Sequence, residues 1–187
     1  RIEMLMEDEN LSESQLEELL KTYKTLEYVS KLNKSLLLLT KIENNQFSEV
    51  VEVDFNSTIS LFLKDYKEVY AYKEMEIVFQ QRGTFKAMMN HTLGGILVAN
   101  LIKNAFVHTA AKGKIGIICS EEGIEFRNTA DGGALDGEHI FERFYQFRNK
   151  EESMGLGLAI ADAICKSFNL QIMYSWEEGM HSFRVSK

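Results

Sequence analysis

The stretch His91 to Thr109, HTLGGILVANLIKNAFVHT, carries the pattern from which the fold is read. Asn100, Asn104 and His108 recur every four residues, and at 3.6 residues per helical turn they share one face. Ile96, Leu97, Leu101, Ile102 and Ala105 fall to the other side and suit a core. Asparagine is a mediocre helix former, so two of them one turn apart ask for a chemical reason. A carboxamide oxygen can ligate Mg²⁺, a hard cation that shares its sphere with phosphates and water. A solvated polar face fits the same spacing.

Outward from this helix the chain alternates strands and helices. Glu49 to Asp54 reads as a strand, Phe55 to Tyr72 as a helix with Ile59, Phe62, Leu63 and Tyr66 on one face, and Met75 to Gln80 as a strand. Lys114 to Cys119 and Ile124 to Arg127 form a strand pair. Gly155 to Phe168 is a further helix, and Leu170 to Trp176 with His181 to Val185 closes the chain as a hairpin across Glu178-Gly179. Such a mixture predicts an α/β sandwich, a sheet covered on one face by helices, over residues 47–187.

Residues 1–46 have another texture. Leu11 to Asn45 lacks glycine and reads as one long helix, begun by a Ser12/Gln15 capping box. Leu16, Leu19, Tyr23, Leu26, Val29, Leu32, Leu36 and Leu39 hold one apolar stripe. Ile2, Leu5 and Met6 suggest the end of a preceding helix. Two antiparallel helices bury little alone, so the expectation is a homodimer in which two hairpins complete a four-helix bundle. The whole is therefore α+β.

The chain has 187 residues, with 28 acidic and 21 basic side chains and a net charge of −7. That balance argues against nucleic acid held by bulk charge. No apolar run approaches the roughly 20 residues of a membrane-spanning helix. Two cysteines, Cys119 and Cys165, make no disulfide framework and read as reduced thiols. Arg1 already stands inside a helical pattern, so the chain reads as a piece of a longer protein.

Three further segments could bear on chemistry. Gly155-Leu156-Gly157-Leu158-Ala159-Ile160 opens a helix, where free N–H groups and the helix dipole favour phosphate; a tight turn would use the same glycines. Asn128-Thr129-Ala130-Asp131-Gly132-Gly133 stands where a strand runs into a loop, and a carboxylate or amide there could accept from a purine amino group. Ile140-Phe141-Glu142-Arg143-Phe144-Tyr145 precedes Gln146 to Ser153, a polar and charged loop.

In this order the segments resemble the catalytic region of bacterial sensor histidine kinases. Asn100 to Thr109 is similar to the family's N box, and Asn128 to Gly133 to its first glycine box. Phe141 to Phe144 is similar to its F box, and Gly155 to Ile160 to its second glycine box. The helix before them resembles the latter part of the dimerisation and histidine phosphotransfer domain. The resemblance implies a Bergerat-type sandwich that binds ATP and Mg²⁺. Asn104 would be the metal ligand, with Asn100 and His108 flanking the phosphates and ribose. Asn128 would face the adenine amino group, with Asp131 and Gly133 beside it. Phe144 and Arg148 would belong to the lid, and Gly155, Leu156, Gly157 and Leu158 would turn backbone toward the phosphates. It also implies a response regulator as partner, and a cytoplasmic domain joined to a membrane only through segments not in this chain.

Related hydrolases, DNA gyrase and the heat-shock chaperones, carry a glutamate in the place of Asn100 as base for the attacking water; an amide cannot take that proton. The chain departs from the family in three ways. Val107 stands where a lysine is common, and Arg143, Arg148 or Lys150 could replace its charge. Asn128 stands for the usual adenine aspartate, although Asp131 could serve, and Ser153 replaces a glycine. None of His91, His108, His139 and His181 has the phosphoacceptor's setting; His139 and His181 read as surface or strand-end residues. The expectation is a chain that binds ATP without labelling itself. The rival reading is a signalling scaffold with a decayed nucleotide site, favoured by Val107 and Asn128.

Overall fold

The computed structural model describes residues 2–6, 11–130, 132–146 and 154–187. Asp131, Arg148, Lys150 and Ser153 lie outside the described residues. The chain divides into two compact units, Arg1–Thr40 and Lys41–Lys187.

The first unit holds α1 (Ile2–Met6) and most of α2 (Glu13–Glu43). The capping box forms as the sequence leads one to expect. The Ser12 N–H donates to Gln15 Oε1 at 2.9 Å and the Gln15 N–H to Ser12 Oγ at 3.3 Å, meeting two donors that the first turn leaves open. Leu26 and Val29, in the middle of the apolar stripe, are each 52% exposed. Exposed leucine and valine in the middle of a long helix leave a hydrophobic face to be covered.

In the second unit β1 (Val51–Asp54) leads directly into α3 (Phe55–Val69), because the Asp54 carboxylate caps the helix by accepting from the Ser57 N–H at 3.1 Å. After a 3₁₀ turn at Ala71–Lys73 come β2 (Glu76–Gln81), β3 (Lys86–Met89) and α4 (His91–His108). Then follow β4 (Lys114–Cys119), β5 (Gly123–Thr129), α5 (Gly157–Ser167), β6 (Gln171–Glu177) and β7 (Met180–Ser186). β1 and β3 pair antiparallel as a small ribbon. The main sheet runs β2-β4-β5-β7-β6, parallel between β2 and β4 and antiparallel elsewhere.

Strand alternation puts three rows of side chains on the inner face of this sheet. Cys119, Ile124, Val185 and Ile172 form one row, and Ile117, Phe126, Phe183 and Tyr174 the next. The third is Ile115, Asn128, His181 and Trp176. Ile124, Phe126, Phe183 and Val185 are buried with Leu97, Leu101, Ala105, Ala161 and Ile164 of the helices, so the core lies between sheet and helices. The outer face is polar: Glu125 accepts from Arg127 Nε at 2.7 Å and from Ser182 Oγ at 2.6 Å.

Two elements differ from the sequence reading. β3 was not expected, since Lys-Ala-Met-Met has neither β-branched nor aromatic residues; its pairing with β1 makes it a strand. The helix expected to reach Tyr72 ends at Val69 and gives way to the 3₁₀ turn, closed by Glu74 at φ 50°.

Candidate functional site

α4 is tied at both ends. Asn90 caps its start, accepting from the Leu93 N–H at 3.2 Å and donating from Nδ2 to the Glu49 carbonyl at 3.1 Å. At the far end Lys73 Nζ donates to the carbonyls of Phe106, Val107 and Thr109 at 2.8, 3.2 and 2.9 Å. An ammonium on the last carbonyls of a helix meets orphan acceptors and the negative end of its dipole together. The helix buries Leu97, Leu101, Ile102 and Ala105, as its sequence predicts, whereas Ile96 is only half-buried. Asn100, Asn104 and His108 are half-buried along the other side, so the stripe is not simply a solvated face.

Asn100 meets the start of α5. Its Nδ2 donates to the Ile96 carbonyl at 3.0 Å, and a Cβ on Gly157 would lie 3.1 Å from its Oδ1. Glycine at 157 therefore admits a side chain of this protein, a reason additional to ligand access. No side chain caps α5, and Leu156 at its start is buried. The carboxamide of Asn104, one turn beyond Asn100, makes no hydrogen bond among the described residues.

Phe144 and Gly155 bring together the two ends of the segment between them. The Phe144 N–H donates to the Gly155 carbonyl at 2.8 Å, and Phe144 has φ 66° and is 54% exposed. Gly155 has φ 65°, and a Cβ there would stand 2.7 Å from the Phe144 carbonyl carbon. Gly133, with φ 80°, has open space on that side. Leu158 follows in the first turn of α5, half-buried.

Asn128, 1% exposed, sits at the polar end of the inner face, directly opposite His181 in the ladder. Of the two settings read for His181, the strand end holds, since it is the second residue of β7, and the surface does not, since it is 5% exposed. Burial holds its imidazole below the ordinary value. Tyr174 Oη lies 3.0 Å from His181 Nδ1 and accepts from the Leu135 N–H at 2.8 Å. Sequence reasoning missed Tyr174 and Lys73. The alternation Ile172, Tyr174, Trp176 could have placed Tyr174 on the inner face, but nothing local marks Lys73. His139, by contrast, is exposed beside Glu142.

Val107 is 6% exposed, so the position that lacks a lysine packs in the core. Of the residues that could replace its charge, Arg143 pairs with Glu43. Arg148 and Lys150, like Asp131 of the first glycine box, fall outside the described residues.

Residues 95–186 match the family described as Histidine kinase-, DNA gyrase B-, and HSP90-like ATPase. The chain is 32% identical over 162 residues to the Heme sensor protein HssS of Staphylococcus saprophyticus, across 83% of this chain and 34% of that protein. It is 28% identical over 158 residues to HssS of Staphylococcus aureus, across 79% of this chain and 33% of the relative. It thus spans about a third of the length of these relatives. Among solved structures, the Acinetobacter baumannii histidine kinase AdeS superposes with a TM-score of 0.68 at 21% identity, over 97% of this chain and 87% of its own. The catalytic domain of histidine kinase ThkA gives 0.66 at 21% identity, over 73% of this chain and 93% of its own.

The match over residues 95–186 and the fold thus point to an ATP-binding domain of the histidine kinase, gyrase B and HSP90 type. Within that class the chain is similar to sensor histidine kinases, in their ATP-binding catalytic portion.

Proposed function

We infer that the second unit holds Mg-ATP between α4 and the start of α5 and donates its γ-phosphoryl group to a histidine that is none of the four in this chain, for relay to a response regulator. The observation that carries this reading is the apposition of Asn100 and Gly157, which brings the polar stripe of α4 to an uncapped helix start. Free N–H groups at a helix start favour phosphate oxygens. Asn104, a half-buried carboxamide with no hydrogen bond among the described residues, fits a hard divalent cation. A bound Mg²⁺ supplies charge neutralisation across the triphosphate. What the chain contributes is position: Asn104 orients the phosphates, Gly155, Leu156, Gly157 and Leu158 offer backbone, and Asn128, Asp131 and Gly133 receive the adenine. His108, Phe144 and Arg148 flank the nucleotide.

Asn100 also supports transfer over hydrolysis. A carboxamide takes no proton from water, and its Nδ2 is already given to the Ile96 carbonyl. In the first unit, the exposed Leu26 and Val29 support a homodimer in which α2 pairs with its copy. The cytoplasmic side of a membrane suits a partner that is a response regulator; among the described residues no helix is long and apolar enough to cross a membrane.

The test is transfer of labelled phosphate from Mg-ATP to an added histidine phosphotransfer domain of a related kinase. Labelling of that domain and not of this chain is the expected result. Nucleotide-dependent labelling of neither, or stoichiometric labelling of this chain alone, would overturn the reading.

A further inference from the structure

Tyr174 and His181 stand in β6 and β7, outside every segment that the sequence marks for nucleotide, yet Tyr174 touches the loop that follows Asn128 and His181 faces Asn128 itself across the ladder. The hydrogen-bond inventory of this cluster is restrictive. Tyr174 Oη receives the Leu135 N–H at 2.8 Å and lies 3.0 Å from His181 Nδ1. The oxygen that receives this amide also carries the phenol's one proton, which it can give to a neutral Nδ1. Burial favours the neutral imidazole, and the tautomer with its proton on Nε2 is the one that takes the phenol proton at Nδ1.

The same pair holds both ends of one loop. His181 is the ladder partner of Asn128, the last inward-facing residue of β5. Tyr174 holds Leu135, seven residues further on, after Gly132 at φ 124° and Gly133 at φ 80° have turned the chain. The contact continues along the loop: a Cβ on Gly137 would lie 3.6 Å from Tyr174 Cδ1, and the Asp136 N–H donates to Tyr145 Oη at 3.3 Å. The Tyr174 ring is fixed from behind by Phe183, with centroids 5.3 Å apart, and His181 by Trp176 at 4.5 Å. A side chain held on that many sides is a rigid post.

The geometry points to Tyr174 as a positioning residue for base recognition: its hydroxyl, held by His181, clamps Leu135 and so fixes the path of residues 132–135 beyond Asn128. The inference deepens the ATP-site reading and rests on it. Tyr174 touches no reacting atom. Its effect falls on which base is accepted, because the stretch it clamps follows directly on Asn128, the residue that would face the base.

The test compares Tyr174→Phe with wild type, using titrations of Mg-ATP and Mg-GTP and amide hydrogen exchange. Phenylalanine keeps the ring and its packing and removes one oxygen, a hydrogen-bond loss that corresponds to roughly 3- to 10-fold in an equilibrium. Weaker ATP binding by about that factor is expected, with GTP binding less affected, so that the preference for ATP narrows. General destabilisation would weaken both nucleotides alike and leave their ratio unchanged. Exchange at the Leu135 amide should quicken while that at Phe183 in β7 stays slow. Wild-type binding with an unchanged ATP-to-GTP ratio in the variant, or an unchanged Leu135 exchange rate, would overturn this inference alone. Failure of the wild type to bind ATP would overturn the site reading and this inference with it.

Discussion

The N–H of Phe144 donates to the carbonyl of Gly155 at 2.8 Å, and both residues have positive φ, 66° and 65°. This bond joins the two ends of the segment that separates the F-box-like run from α5. It also explains a glycine that the sequence invites one to assign wholly to phosphate. The closest neighbours of a Cβ at 155 would be the backbone of Phe144 and Tyr145, at 2.7 Å.

Gly155→Ala is accordingly expected to be costly, by about 2–4 kcal/mol, since a left-handed backbone and a main-chain collision act together. Gly133→Ala, with φ 80° but nothing within 4 Å, should cost about 1 kcal/mol. Urea unfolding of the two variants checks the contrast. Equal costs would show that φ alone decides.

Lys73 makes a second prediction. Lys73→Met keeps the aliphatic stem and withdraws an ammonium from the carbonyls of Phe106, Val107 and Thr109. Stability should fall by about 1–3 kcal/mol, and amide exchange should rise first in the last turn of α4, where His108 stands. A variant as stable as wild type would show that water satisfies those carbonyls equally well.

Stability should decline on acidification. Burial holds the folded-state pKa of His181 below its ordinary 6.5, so as pH drops below that value the unfolded chain takes a proton that the folded one refuses. Glu125 acts in the same direction at lower pH. Burial alone would push its carboxyl up, but hydrogen bonds from Arg127 and Ser182 and the charges of Arg127 and Arg184 bring it below the usual 4.5. Its contribution is present above that value and is lost as pH falls through the folded one. His139, raised chiefly by its hydrogen bond to Glu142, opposes the trend, being stabilising at low pH and lost as pH rises; it is exposed, and salt should suppress it. Urea midpoints between about pH 7.5 and about pH 5.5 in moderate salt should fall for wild type and fall less for His181→Gln.

Both thiols should be inert in the native state. Burial pushes Cys119 and Cys165 up to about 12, with nearby Asp54 and Asp162 adding to it, so neither holds an appreciable thiolate fraction near neutral pH. A thiol reagent is expected to label neither until denaturant is added. Rapid native labelling would contradict the packing around them.

Much of this arrangement was legible in residue order, for physical reasons. The four-residue spacing of Asn100, Asn104 and His108 is a helical period, and the structure returns it as one half-buried stripe on α4. The closing hairpin was legible because Glu178 and Gly179 both take positive φ, 52° and 76°, as a tight antiparallel turn requires. β3 was not legible, since its strand character comes from β1 alone. Tyr174, Lys73 and the buried state of His181 depend on contacts between residues far apart in the chain, and no local pattern announces them. Val107 shows the converse: comparison with a family marks a lost charge, and the structure shows a residue that fits its core.

The central claim is that the carboxamide of Asn104 ties a divalent cation and its triphosphate to α4. A fluorescent ATP analogue titrated against wild type and Asn104→Ala, with Mg²⁺ and with a chelator, tests it most directly. The expected result is Mg²⁺-dependent binding by wild type that weakens roughly tenfold or more in the variant, to the level of wild type without the metal. Equal affinity of the two proteins in Mg²⁺, or binding by wild type that ignores the chelator, would contradict it.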